Sequence, residues 1–160
     1  MIILIMGVAG SGKTTVAQEL AKSLNWEFSD ADNFHPPINI DKMRWGIPLN
    51  DLDRNPWLQT LQTTIKTWLQ ENKNVVLACS ALKASYRQML LINNQVQLVY
   101  LRGSYELIKS RLQLRKNHFM TEKLLQSQFD ILEEPNDAIV VDISQPIAEI
   151  INHVRENLNI

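Results

Sequence analysis

Eight consecutive residues, GVAGSGKT at positions 7–14, have the types and spacing needed to hold a polyphosphate. Gly7, Gly10 and Gly12 permit a tight turn that points successive backbone N–H groups inward, with Ala9 and Ser11 completing the loop. Lys13 supplies a point charge for the outer phosphates. The Thr14 hydroxyl can ligate magnesium, while Thr15 supports the loop and the start of the helix that follows. That helix would offer its unpaired N-terminal donors to the same anion. These residues predict ATP as a ligand, with Mg2+ beside it.

Holding ATP leaves the phosphoryl acceptor open. Asp30 and Asp32 follow a second predicted strand, and the carboxyl ends of strands in an open α/β sheet line the ligand crevice. Asp30 suits a base or an orienting group for an acceptor hydroxyl. Asp32 suits its partner or a water-mediated magnesium contact, and either residue could instead cap the next segment. Ser80 ends a third strand at a position without the usual aspartate. It is expected either to contact magnesium-bound water or substrate, or to cap a helix.

Cationic pairs suggest further contacts. Lys83 and Arg87 lie four residues apart, so a helix would put them on one face, either solvated or turned toward an anionic substrate. Arg111 and Arg115 repeat that spacing ahead of a charged and aromatic break. They suit a lid whose guanidinium forks clamp phosphates and whose closure excludes water, or else a solvated cluster. The histidines at 35, 118 and 153 lack metal-ligand spacing, which favours a structural or substrate-contact role for His35 over zinc binding. Cys79 reads as buried, with no histidine near it in sequence.

The elements that must position these groups alternate. Strands are predicted at 2–6, 26–29, 75–79, 96–101 and 138–141. Helices are predicted from Lys13 to about Asn25, from Pro56 through Trp57, Leu61, Ile65 and Leu69, and from the region after Ser80 to about Asn93. Three more follow at 105–114, 123–132 and 147–158. Residues 31–56 are polar and turn-rich, yet Met43 and Trp45 can anchor them, so short helices are expected there. The alternation predicts a three-layer α/β fold with a central parallel sheet in one domain, 1–160, carrying a substrate-binding excursion at 31–56 and a short lid at 115–127.

The 160 residues suit one core, and 16 basic against 17 acidic side chains leave a net charge of -1, which gives no support to a nucleic-acid partner. A single cysteine excludes an intrachain disulfide framework. The opening apolar run is too short to cross a bilayer or form a signal core, so a soluble cytoplasmic protein without membrane attachment is expected.

Several segments, taken together, resemble the small gluconate kinases of the bacterial, thermoresistant type, within the P-loop kinases related to nucleoside-monophosphate kinases. They are GVAGSGKT at 7–14, DADNFHPPINIDKM at 30–43, GIPLNDLDRNPWL at 46–58, CSALKASYR at 79–87, LRG at 101–103, RLQLRKNHFM at 111–120 and LLQSQFDILEEP at 124–135. The resemblance implies transfer of the ATP γ-phosphoryl group to the 6-hydroxyl of D-gluconate, giving 6-phosphogluconate and ADP, with magnesium and as a homodimer. It implies an ATP and magnesium site at Gly10, Gly12, Lys13 and Thr14, an acidic acceptor-side residue at Asp30, and a sugar-acid side holding His35, Arg54, Lys83 and Arg87. Arg54 is the candidate for the gluconate carboxylate. Arg111 and Arg115 correspond to lid-side clamps, and the turn at 142–146, with Gln145 and Pro146, to the segment near adenine. Asn117, Thr121 and Asn50 depart from the family pattern, though asparagine can keep the capping role at position 50. A kinase for another hydroxylated acid such as shikimate, or a P-loop regulatory protein, are the alternatives.

Overall fold

Ile2–Met6 forms β1, and all five of its residues are buried. A strand apolar on both faces belongs in the middle of a covered parallel sheet. β1 lies between β3 (Val75–Ala78) and β4 (Val96–Arg102), with β2 (Glu27–Asp30) and β5 (Ile139–Asp142) on the edges, giving the order β2-β3-β1-β4-β5. Every pairing is parallel. The computed structural model describes residues 1–115 and 121–160.

The pleat divides the core. Ile3, Ile5, Val76, Ala78, Val99 and Leu101 face one layer, which includes α1 (Lys13–Leu24), α5 (Tyr105–Leu114), α6 (Glu122–Ile131) and α7 (Ile147–Leu158). Ile2, Leu4, Met6, Val75, Leu77 and Tyr100 face the other, built on α3 (Asp51–Gln70) and α4 (Ala84–Leu90). The result is the three-layer α/β fold expected from the alternation. The 31–56 segment folds as a 3-10 turn at Ala31–Phe34 followed by α2 (Pro37–Arg44). No helix among the described residues is long and apolar enough to cross a membrane.

Two helix boundaries differ from expectation by more than a residue. α3 starts at Asp51, not at Pro56, because Asn50 and Asp53 form a reciprocal capping box. Pro56 is inside the helix, where its missing N–H would have met the carbonyl of Leu52 in the exposed first turn. α4 stops at Leu90, short of Asn93. Lys83 is its N-cap with extended backbone (φ -95°, ψ 146°), so helical spacing does not relate Lys83 to Arg87.

Candidate active site

The phosphate loop links β1 to α1. Gly12 caps α1 in a left-handed conformation (φ 95°), and a Cβ there would meet nothing within 4 Å. The helix begins with no side-chain cap and no acidic residue in its first turn, so its leading N–H groups face open space with a positive partial charge. At Gly10 (φ 79°) an added Cβ would lie 2.7 Å from Leu112 Cγ, which shows how closely α5 packs on the loop. α6 reaches it as well: the Ala9 N–H donates to Gln128 Oε1 at 2.7 Å.

Two cavities meet at this loop. The larger cleft, about 270 Å3, opens between the loop, the 31–56 excursion, α5 and α6. Ala9, Gly10, Gly12, Lys13 and Thr14 line its loop side. Asp30, Asp32, His35 and Arg54 line its opposite side, with Ser80 and Arg115 also in the wall. The second cavity, about 260 Å3, lies over the start of α1 and is walled by Ser11, Thr15, Arg111 and Gln145. Gly10, Gly12 and Arg115 belong to both.

Strand ends set the polar groups in the cleft. The Thr14 hydroxyl donates to Asp30 Oδ2 at 3.1 Å, and the Asp32 N–H donates to Asp30 Oδ1 at 2.9 Å. Lys13 Nζ donates to the Val8 carbonyl at 3.1 Å. Burial pulls the Lys13 ammonium pKa down, against the raising influence of Asp32, Cys79 and Asp30. Asp32 touches solvent in the cleft, yet the walls around it desolvate its carboxyl and push its pKa up, while Lys13 opposes the shift. Cys79 is buried and its thiol is pushed up to about 12 by desolvation, which leaves it unreactive.

The wall opposite the loop is braced by side chains. His35 stacks on Trp57, with ring centroids 4.3 Å apart and planes 12° from parallel. Burial and then the Arg54 charge lower its pKa to about 4, so the ring is neutral near pH 7. Arg54 Nη1 donates to the Leu49 carbonyl at 2.8 Å and to the Tyr86 hydroxyl at 3.3 Å.

The structure does not bring every expected residue to the cleft. Arg87, 6% exposed, spends its guanidinium on the carbonyls of Ala81, Leu82 and Glu133 at 2.8, 3.1 and 2.8 Å, so it ties loops together behind the site. Lys83 Nζ pairs with Asp51 at 2.9 Å and lies outside the cleft lining. Gly7 and Pro146 line neither cavity; Pro146 instead caps α7. Arg111 donates to the Ile143 carbonyl at 2.7 Å while lining the second cavity. Residues 116–120 of the expected lid at 115–127 lie outside the described residues.

Comparison with known proteins shows which family the chain belongs to. The thermoresistant gluconokinase of Escherichia coli is 44% identical over 155 residues, covering 94% of this chain and 89% of that protein. A crystallised gluconokinase from Sinorhizobium meliloti is 40% identical with a TM-score of 0.85, covering 98% of this chain and 94% of that one. The chain belongs to the gluconokinase family. A sugar kinase from Janibacter sp. superimposes with a TM-score of 0.92 at 42% identity over 99% of this chain and 94% of that one. A profile of the shikimate kinase family also matches, over residues 9–159. A solved shikimate kinase from Bacteroides thetaiotaomicron is 18% identical, a likeness of fold alone. As a member of the gluconokinase family, the protein is an ATP-dependent kinase.

Residue spacing missed two residues of the cleft wall and one support behind it. Gln128 contacts the loop from 119 positions away, and no local pattern reports that distance. Trp57 was legible only as part of an apolar helical face, although it also lines the cleft and stacks on His35. Asn39, buried at 1% exposure, carried no motif beyond its place in the 30–43 segment.

Proposed function

We propose that the protein transfers the γ-phosphoryl group of ATP to the 6-hydroxyl of D-gluconate, giving 6-phosphogluconate and ADP. The observation that carries this reading is the meeting of the two cavities at Gly10, Gly12 and Arg115. A nucleotide over the start of α1 would extend its terminal phosphate across that shared rim, toward an acceptor in the larger cleft. Backbone donors of the loop and Lys13 hold the phosphates, and Arg111 and Arg115 add cationic forks. Asp30 orients the acceptor hydroxyl or takes its proton as charge develops. Arg54 receives the acid's carboxylate; Lys83 and Arg87, engaged elsewhere, are not assigned that role.

Thr14 and Asp32 give hard oxygen donors suited to Mg2+, which binds through one or two carboxylates plus substrate phosphates. Asp32 and Ser80 are the residues that would reach it through water. When bound, the ion would offset charge on the transferring group. The resemblance to gluconate kinases also supports a cytoplasmic homodimer.

The deciding experiment is a kinase screen over gluconate, related sugar acids, shikimate and nucleoside monophosphates, with product identification. ATP-dependent formation of 6-phosphogluconate is expected. Preferential phosphorylation of shikimate or of a nucleotide overturns the assignment.

A further inference from the structure

The His35 ring is fixed on two sides. Trp57 sets its plane, and Trp57 is itself pinned by its indole N–H, which donates to the Ala31 carbonyl at 2.7 Å. One edge of the imidazole faces α2, where Asn39 Nδ2 lies 3.2 Å from His35 Nδ1. The same Nδ2 donates to the Asp53 carbonyl at 2.8 Å. A carbonyl cannot donate, so the amide nitrogen, not its oxygen, must occupy that corner. Asp53 is anchored in turn: its carboxylate pairs with Lys42 at 2.7 Å and accepts from the Asn50 N–H at 3.0 Å. The second amide hydrogen of Asn39 therefore faces Nδ1, which must offer a lone pair. In a neutral imidazole the proton then resides on Nε2. Nε2 has no hydrogen-bond partner among the described residues, and His35 lines the cleft alongside Asp30 and Arg54.

We propose that Asn39 is a positioning residue for acceptor recognition: its buried carboxamide fixes His35 as an Nε2–H donor that bonds a hydroxyl oxygen of the acceptor. The inference deepens the reading of the larger cleft as the acceptor site and rests on it. It divides the work between two kinds of contact. Arg54 meets the carboxylate as a cation, while His35 reads a hydroxyl as a neutral donor. An acid lacking that oxygen would leave the N–H unpaired in a partly desolvated wall, which selects for polyhydroxylated acids.

Long-range proton–nitrogen NMR on the ligand-free wild-type protein reads the tautomer directly. A protonated Nε2 with a bare Nδ1 is expected, and the reverse overturns the proposal. This measurement needs no substrate, so it separates the proposal from the gluconate assignment, which 6-phosphogluconate formation tests. In kinetics with the acceptor, Asn39→Leu and His35→Phe should each raise its KM about tenfold while kcat and the ATP KM stay within about threefold. His35→Gln keeps an N–H near the Nε2 position and should recover most of that loss. Because Asn39 acts through His35, the double variant Asn39→Leu/His35→Phe should lose no more than either single one. Additive losses, or a His35→Gln variant as weak as His35→Phe, overturn the proposal.

Discussion

Arg87→Met tests whether this arginine is a strut or a substrate ligand. Its guanidinium makes three hydrogen bonds to backbone carbonyls, one of them on Ala81, a non-glycine residue held at φ 45°. Methionine keeps the length and apolar stem but removes all three bonds, leaving the Ala81 and Glu133 carbonyls without this donor and the Leu82 carbonyl with only the Glu133 N–H. A charge-assisted bond nets about 1.5–3 kcal/mol, and partial relaxation of three shared bonds gives a loss of about 3–5 kcal/mol. At about 2–4 °C per kcal/mol for a domain of this size, the melting temperature should fall by about 6–20 °C. Thermal unfolding followed by circular dichroism measures this. Kinetics well below the transition should show a gluconate KM within about twofold of wild type, since Arg87 does not line the cleft. Arg87→Lys should fall between, because an ammonium cannot reproduce the planar fork. An unchanged melting temperature with a gluconate KM raised about tenfold or more would refute the strut and return Arg87 to the substrate.

The remaining expectations concern the cleft itself. Lys13→Ala should lower kcat at least about a hundredfold with its circular dichroism spectrum intact, and normal turnover of gluconate would remove Lys13 from the site. Asp30→Asn should reduce kcat by about tenfold or more while the ATP KM changes little; equal losses in both would point to a structural role. Arg54→Ala should weaken gluconate binding by about tenfold or more, measured apart from ATP binding, and an unchanged affinity would free Arg54 of the carboxylate. His35 should also shape stability against pH. Its folded pKa of about 4 lies below the ordinary 6.5, so the unfolded chain takes up the proton first. Stability present above about pH 6.5 should be lost as pH falls toward 4, and His35→Gln should flatten that slope in urea titrations. Parallel slopes for variant and wild type would contradict the buried neutral ring.

The sheet was legible because its strands are short apolar runs bounded by polar turns, a pattern set by burial on both faces. β1 and α7 agree with the sequence reading residue for residue. The start of α3 was not legible from Pro56, because the capping box upstream satisfies the first-turn donors and tolerates proline in the second turn. The pairing of Lys83 with Arg87 failed for a different reason. Helical spacing holds only inside a helix, and Lys83 stands just outside one. In the cleft, the loop residues were readable from their spacing. The roles of Arg87, Asn39 and Gln128 were not, since their partners lie on other elements.

That contrast has a cause in how the two halves of the cleft are made. The phosphate side is built from backbone: left-handed glycines and the free donors of α1. Backbone conformation imposes glycine at fixed intervals, so the side announces itself in sequence and suits any nucleotide triphosphate. The acceptor side is built from side chains on the 31–56 excursion and α3, braced by His35–Trp57, Asn39–Asp53 and Lys42–Asp53 contacts. None of these contacts involves a residue of the sheet strands. A shared frame with an exchangeable acceptor wall accounts for both comparisons at once. A shikimate kinase profile matches residues 9–159, whereas identities of 40–44% are with gluconokinases. On the proposed reading, specificity for the acid resides in the excursion and α3, and substitutions there should change which acid is phosphorylated before they change whether ATP is bound.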